Sequence, residues 1–299
     1  MSSTLASGGG LRTDELTPPS SRAPELGTAE GAAKRNRTAE ILGPIVVFLV
    51  FLAIWYLLAE VVLPQEKRFL LPTPHKVITD GFLIWEDGNR GLKPILDSLW
   101  LTARVAIVGL VITIILGMGL ATAMSMARWV ERASWPYLVA LQAAPILALT
   151  PLISGLLGFG FNSRVLVVVL IAFFPVVNNT LFGLLSVDQS QHELFTLQGA
   201  NRATRLWKLQ YPAAMPAIFV GLRNAAGLAV IGAVVGDFYF RQGNPGIGAQ
   251  IDVYRQRLYG PEMITAIILS ALLGLVVFIF FGWLGNRAVG KWHTTTRSP

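Results

Sequence analysis

The chain has 299 residues, of which 53% are hydrophobic and only 14% charged, a balance too apolar for an ordinary soluble domain and long enough for several membrane spans. Its formal net charge is +7, but Lys and Arg are scattered along the connections between apolar runs, with no basic stripe interleaved with aromatics. This argues against a nucleic-acid surface and for a basic bias facing the membrane. The sequence contains no cysteine, which excludes disulfides, thiolate metal sites and a cysteine nucleophile.

Residues 1–38 are rich in Ser, Gly, Pro, Ala and Thr and hold almost no large apolar side chains. They bury too little surface to offset chain entropy, so a disordered cytoplasmic tail is predicted. The first apolar run begins at Ile41 and is too long for the core of a secretory signal. Residues 41–63 form the first predicted span, preceded by Lys34, Arg35 and Arg37 and followed by Pro64. At about 1.5 Å per residue it crosses a hydrocarbon core of about 30 Å. Thr73 and Pro74 read as the N-cap and first position of a short helix reaching about Glu86 and stopped by Gly88. Its apolar face, Val77, Ile78, Phe82 and Trp85, is expected on the outer membrane surface.

Further spans are predicted at residues 98–126, 135–158, 164–186, 213–236 and 263–285, which makes six within a transmembrane domain of residues 39–292. Residues 293–299 form a second tail. The fold class is therefore all-α, polytopic. Lys and Arg near residues 34–37 and 128–132, and at Arg287, Lys291 and Arg297, lie close to span ends and place both termini in the cytoplasm. Most of the basic residues on the other side are accompanied by acids.

Residues 187–212 form the one long polar stretch between the apolar halves. Ser190 followed by Glu193 reads as a capping box, and Gly199 sits where a C-terminal glycine closes a helix of about two turns. Asn201 caps a second helix, with Arg202, Arg205 and Lys208 on one side and Leu206 and Leu209 near the other, until Tyr211-Pro212 ends it. Neither helix is long enough to be stable alone in water, so both need a partner surface.

His75, His192 and His293 have no metal-ligand spacing, and no serine lies in a nucleophile elbow. Gly285 to Lys291 imitates part of a P-loop, but Trp292 stands where a magnesium-binding Ser or Thr belongs, and a span precedes it where a strand should. No cofactor is expected on this chain, which is not read as an enzyme. Polar groups inside the spans remain: Gln142 and Ser154 in the third, Asn178 and Asn179 after Pro175 in the fourth, and Arg223 with Asn224 in the fifth. They suit a wet, proline-bent translocation path, or equally interhelical hydrogen bonding. For Arg223 the packing reading is the stronger, since its stem is long enough to snorkel. Gly155, Gly158 and Gly160, and the pair Gly232 and Gly236, permit close helix approach within one chain or across a dimer. Asp237 and the loop from Arg241 to Glu262 read either as a surface for an external partner or as a solvated loop.

Glu193, then Gly199 six residues on, then Leu209-x-Tyr211-Pro212 resemble the cytoplasmic EAA loop of ABC-importer permease subunits. Leu194 and Phe195 replace its two alanines, and Leu209 and Tyr211 its Ile and Leu. From residue 71 onward, LPTPHKVITDGF and GLRNAAGLAVIGAVVGDF are similar to the nitrate, sulfonate and taurine branch of that family. The resemblance implies a type I permease fold in the inner cell membrane, a homodimer, two ATPase subunits inside that hold ATP and magnesium, and a solute-binding protein outside. It implies a small solute of the nitrate, sulfonate or taurine kind, or a vitamin precursor. It also implies a coupling role for Glu193, Leu194, Phe195, Gly199, Ala200, Arg202, Leu209 and Pro212. The alternative is an ion-coupled secondary transporter, which would want an acid at mid-membrane; Asp and Glu here lie near span ends or in loops.

Overall fold

The computed structural model describes residues 37–290 except Asn89, with side chains from residue 42 onward. The tails expected at 1–38 and 293–299 fall outside the described residues, save that a helix already begins at Arg37. Lys291, Trp292, His293 and Arg297 are outside as well. Among the described residues all regular structure is helical, apart from one isolated bridge between Asp87 and Arg90. The chain divides into two compact units at Ala53 and Ile54, inside the first helix, α1 (Arg37–Leu57). After Glu40 the part of α1 in the first unit is apolar on every face, the pattern of a helix solvated by lipid.

The second unit holds the end of α1, a short α2 (Pro74–Lys76), α3 (Leu92–Met126), α4 (Arg128–Ala143), α5 (Thr150–Leu157) and α6 (Phe161–Leu185). These are followed by α7 (Gln189–Leu197), α8 (Arg202–Arg205), α9 (Tyr211–Tyr239), α10 (Ile247–Gln256) and α11 (Gly260–Val289). Five helical runs are long and apolar enough to cross a membrane, and α4 with residues 146–157 makes a sixth if that pair is counted as one span.

Four predicted elements differ. The span at 135–158 is broken by a 94° bend, because Pro145 has no N–H and holds Ala144 extended (φ −66°, ψ 131°). The helix from Thr73 gains no side-chain cap and ends at Leu83, widening into a π turn over Val77–Leu83. Gly81 lies so close to Thr265 and the Pro261 carbonyl that contact with α11 puts Val77 and Gly81 inside and leaves Ile78 and Trp85 exposed. Pro212 does not end its helix: residues Arg202–Tyr239 run on continuously, through a π turn at Leu206–Gln210 whose wider ring relieves the clash between proline and the carbonyl one turn back. The loop at 241–262 contains α10, whose Ile247, Ile251 and Tyr254 are buried with Ile95 and Ala266.

The core is the antiparallel pair α6 and α9 with α3 laid against it, around Val105, Leu110, Val168, Val176, Ala225, Ala229 and Ala233. Small residues set the spacing. A Cβ on Gly232 would stand 3.0 Å from the Val168 Cα, and one on Gly236 would stand 3.2 Å from the Arg164 Cα. The Gly232 and Gly236 pair therefore serves contact within the chain. Gly155 and Gly160 face nothing within 4 Å, and Gly158 closes α5 at φ +75°. Replacing Gly232 by Leu should overpack this seam and cost about 1–3 kcal/mol, read as a lower Tm in detergent. Gly155→Leu, with open space around it, should leave the Tm within error of wild type.

Candidate translocation path and coupling element

The polar stretch folds into two helices joined at Gly199. Asp188, extended at φ −61° and ψ 143°, is the N-cap of α7 and makes no side-chain cap bond. The predicted capping box does not form, because the helix starts early enough to place Ser190 inside its first turn. Glu193 instead accepts a hydrogen bond from Gln189 Nε2 at 3.1 Å. Gly199 has φ +71°, its amide donates to Thr196 O at 3.0 Å, and that of Ala200 donates to Phe195 O at 2.9 Å. These two bonds are the Schellman closure, which needs a residue at ease in the left-handed region. Asn201 then caps α8, accepting from the Thr204 amide at 2.7 Å.

The second helix is moored to the bundle, and the first is held to the second by Arg205, which donates to Thr196 Oγ1 at 3.2 Å. Leu206 is buried, Gln210 Nε2 donates to Leu184 O at 3.3 Å, and the Tyr211 hydroxyl lies 2.7 Å from Thr122 Oγ1 on α3. α7 buries no residue, and Leu194 (54% exposed), Leu197 (87%) and Trp207 (67%) present apolar surface outward. Of the other predicted coupling residues, Glu193, Arg202 and Pro212 are exposed, while Phe195, Ala200 and Leu209 are half-buried.

Gln142 of α4, Asn178 and Asn179 of α6, and Asn224 of α9 come together around one open groove of about 510 Å³, lined also by Phe174, Pro175 and Phe278. Asn179 donates to the Pro175 carbonyl at 2.8 Å and lies against Gly221, so it helps to hold α6 on α9. Gln142, Asn178 and Asn224 make no hydrogen bond to other described residues and leave their amides to the groove. Arg223 lies beside it: its guanidinium sits 3.9 Å from the centre of the Phe278 ring, in a separate cavity of about 380 Å³ with Gly282 and Asn286. Ser154 does not line the groove; its hydroxyl donates to Pro151 O at 3.0 Å.

At the opposite end of α6 and α9 lies a buried network, and it holds Asp237, which the sequence suggested for an external surface or a solvated loop and which is instead fully buried. Arg164 (3% exposed) and Asp237 (0%) stand 3.3 Å apart. Thr102 of α3 donates to Asp237 and accepts from the Ile247 amide at 2.8 Å. Arg164 donates to the carbonyls of Phe240, Asn244 and Gln242 at 2.6, 3.2 and 3.2 Å. Gly246 lies directly on the Asp237 carboxylate, where any Cβ would collide. The signal was available, since an arginine opening one span and an aspartate ending its antiparallel neighbour fall at one depth. Nearby, Asp252 accepts from Arg255 and Arg241, Arg255 foremost, and these bonds hold its carboxyl below the usual range. Arg90 donates to the fully buried Glu262, which raises the arginine's pKa, and also covers the Tyr259 ring at 4.8 Å. Losing one member of the Arg164 and Asp237 pair should cost about 3–5 kcal/mol by leaving a buried charge unpaired. Unfolding in detergent should show Asp237→Leu less stable than the double variant Arg164→Met, Asp237→Leu; the reverse order would mean that the pair is not coupled.

A bundle of membrane-crossing helices with an amide-lined groove, and a polar helix pair projecting from one end, defines a multi-pass membrane permease. Residues 109–290 match the binding-protein-dependent transport system inner membrane component, and the chain belongs to this family, as an ABC-importer permease of the nitrate, sulfonate and taurine branch. It is 33% identical to the formylaminopyrimidine transport permease of Halalkalibacterium halodurans, over 84% of this chain and 96% of the relative. It is also 33% identical to the riboflavin transport system permease of Chloroflexus aurantiacus, over 85% and 91%. The taurine transport system permease of Escherichia coli is 27% identical over 82% and 87%. A crystal structure of an amino acid ABC transporter with histidines shares the fold at TM-score 0.50 and 20% identity, covering 64% of this chain and 91% of that one.

Proposed function

We propose that two copies of this chain form the translocation path of an importer, with two ATPase subunits seated on residues 187–212 in the cytoplasm and a solute-binding protein at the other face. The observation that carries this reading is the helix pair itself. α7 shows apolar Leu194 and Leu197 to the outside with no contact to repay it, as a surface awaiting a partner does. Glu193, Leu194, Phe195, Gly199, Ala200, Arg202, Leu209 and Pro212 form the coupling element. ATP and magnesium belong to the ATPases, and this chain holds no cofactor. When ATP draws the ATPases together, α7 and α8 move with them, and the difference in binding between the two states drives the spans between inward and outward opening.

Gln142, Asn178, Asn179 and Asn224 line the path, with Arg223 at its side. Its lining is uncharged and rich in amide donors and acceptors, which suits a small hydrogen-bonding solute of the kind the relatives are named for. Both termini are cytoplasmic.

Replacing Gly199 by Val puts a β-branched residue at φ +71°, a cost on the order of 1 kcal/mol or more. No span is touched, so the variant should insert normally, assemble, and show ATPase activity no longer matched by uptake in proteoliposomes. Full uptake by Gly199→Val would remove the coupling role; full uptake by the chain without any ATPase would favour the ion-coupled alternative. Topology is read by placing single cysteines at Thr196 and Arg257, both exposed: an impermeant maleimide added outside cells should label the second and spare the first.

A further inference from the structure

The corner between α3 and α4 carries a surface that neither the groove nor the coupling element uses. Arg128, Glu131, Arg132 and Trp135 follow one another at helical spacing on one face of α4 and line a concavity of about 540 Å³ with Pro136. α4 packs into the bundle through Val130 and Leu138, against Ala121, Met124, Val177 and Leu181, while Arg128 and Arg132 are exposed. Neither arginine has an acid within ion-pair distance, Glu131 included, and neither donates a hydrogen bond to another described residue. Two exposed guanidinium groups one turn apart therefore share a hollow whose single lining acid, Glu131, pairs with neither of them.

The depth of this corner follows from length and polarity together. α3 has 35 residues, roughly 50 Å at about 1.5 Å per residue against a hydrocarbon core of about 30 Å, so it overhangs the acyl chains, and the polar Thr122, Ser125 and Arg128 mark its C-terminal end as one that leaves them. The bond between Thr122 and Tyr211 puts them at the same end as residues 187–212. The aromatics agree with a headgroup level: Trp129 is 74% exposed, and Trp135 is anchored on one side by Phe174, 6.5 Å between ring centres.

We propose that Arg128 and Arg132 hold the headgroup phosphate of an anionic phospholipid, with Trp129 and Trp135 beside its glycerol and upper acyl region. A guanidinium presents parallel N–H donors that match phosphate oxygens, and a basic hollow at the end of a membrane helix is placed to collect anionic headgroups. A flat acidic protein surface would use the arginines but give the interfacial tryptophans no role.

The test uses the full chain, purified in detergent, titrated with phosphatidylglycerol or phosphatidylcholine and weighed intact by native mass spectrometry. Wild type should retain phosphatidylglycerol in preference to phosphatidylcholine. The double variant Arg128→Gln, Arg132→Gln should bind it about thirtyfold more weakly, the loss of two surface charge contacts. Arg128→Lys, Arg132→Lys should keep most of the binding, and Arg287→Gln, which removes a charge from the same end, should change nothing. Elution profile and Tm show that each variant is folded, and each single Gln variant gives an intermediate loss if the double one is not. Equal retention of the two lipids, or undiminished phosphatidylglycerol binding by the double Gln variant, overturns the proposal. Displacement by inorganic phosphate at equal concentration would assign the arginines to a free anion and overturn the lipid assignment. Protection of both arginines from phenylglyoxal by a bound ATPase, but not by phosphatidylglycerol, would assign the face to protein and overturn it too.

Discussion

The close approach of α6 to α9 is the constraint on which the other contacts depend. Lipid offers no hydrophobic drive for helix association, so two spans hold together through van der Waals contact and a few polar bonds, and both fall off steeply with separation. Four glycines keep the separation small along the whole seam: Gly183 on Ala214, Gly221 on Asn179 and Pro175, Gly232 on Val168 and Gly236 on Arg164. α3 adds Gly109 on Val168 and Gly117 on Val176. At this spacing the two helices act as one body, and what each end carries is held in register with the other.

At one end the result is an interior salt bridge with nearly every polar atom answered. Arg164 would be costly in so dry a place, but the antiparallel approach brings it to Asp237 and to three carbonyls of the chain turning out of α9. Desolvation and Coulomb attraction nearly cancel for such a pair, so its effect is better read as specificity than as net stability. It fixes where α9 ends and, through Thr102 and the Ile247 amide, where α10 begins. What read as a polar loop is an ordered cap because this buried charge organises it.

The parts of the fold legible in the sequence rest on local physics. Apolar length marks the spans, Gly199 requires a left-handed residue, and Asn201 accepts from the third amide ahead; none needs knowledge of a distant contact. The misreadings involve competition between local and tertiary terms. Proline is a reliable breaker at Pro145, where nothing opposes the break, and fails at Pro212, where a π turn and the mooring of Leu206, Gln210 and Tyr211 let the helix continue. The groove was half legible. Gln142, Asn178, Asn179 and Asn224 stood out as polar groups in apolar spans, but which of them share a wall depends on helix rotation. That rotation leaves Ser154 outside and puts the ring of Phe278 between Arg223 and the rest.

The failed stop at Pro212 changes the mechanics of the molecule. Had the second helix of the polar pair ended there, a flexible joint would have separated it from the span that follows, and a push on it would have been absorbed by the backbone. Instead Arg202 and Asn224 lie on one uninterrupted helix, about 33 Å apart at about 1.5 Å per residue. Asn201 begins that helix with a fixed cap, and Gly199 sets the angle at which α7 meets it. Under the proposed coupling role, a small rotation at the cap would reach the groove as a movement of Asn224 relative to Gln142, which sits on α4. Because Gly221 and Gly232 tie α9 to α6, Asn178 and Asn179 would travel with Asn224 in such a movement, leaving the wall on α4 as the one to change its distance. The break at Pro145 lies just beyond Gln142, so the helix is interrupted there, whereas α6 and α9 stay helical through Pro175 and Pro216.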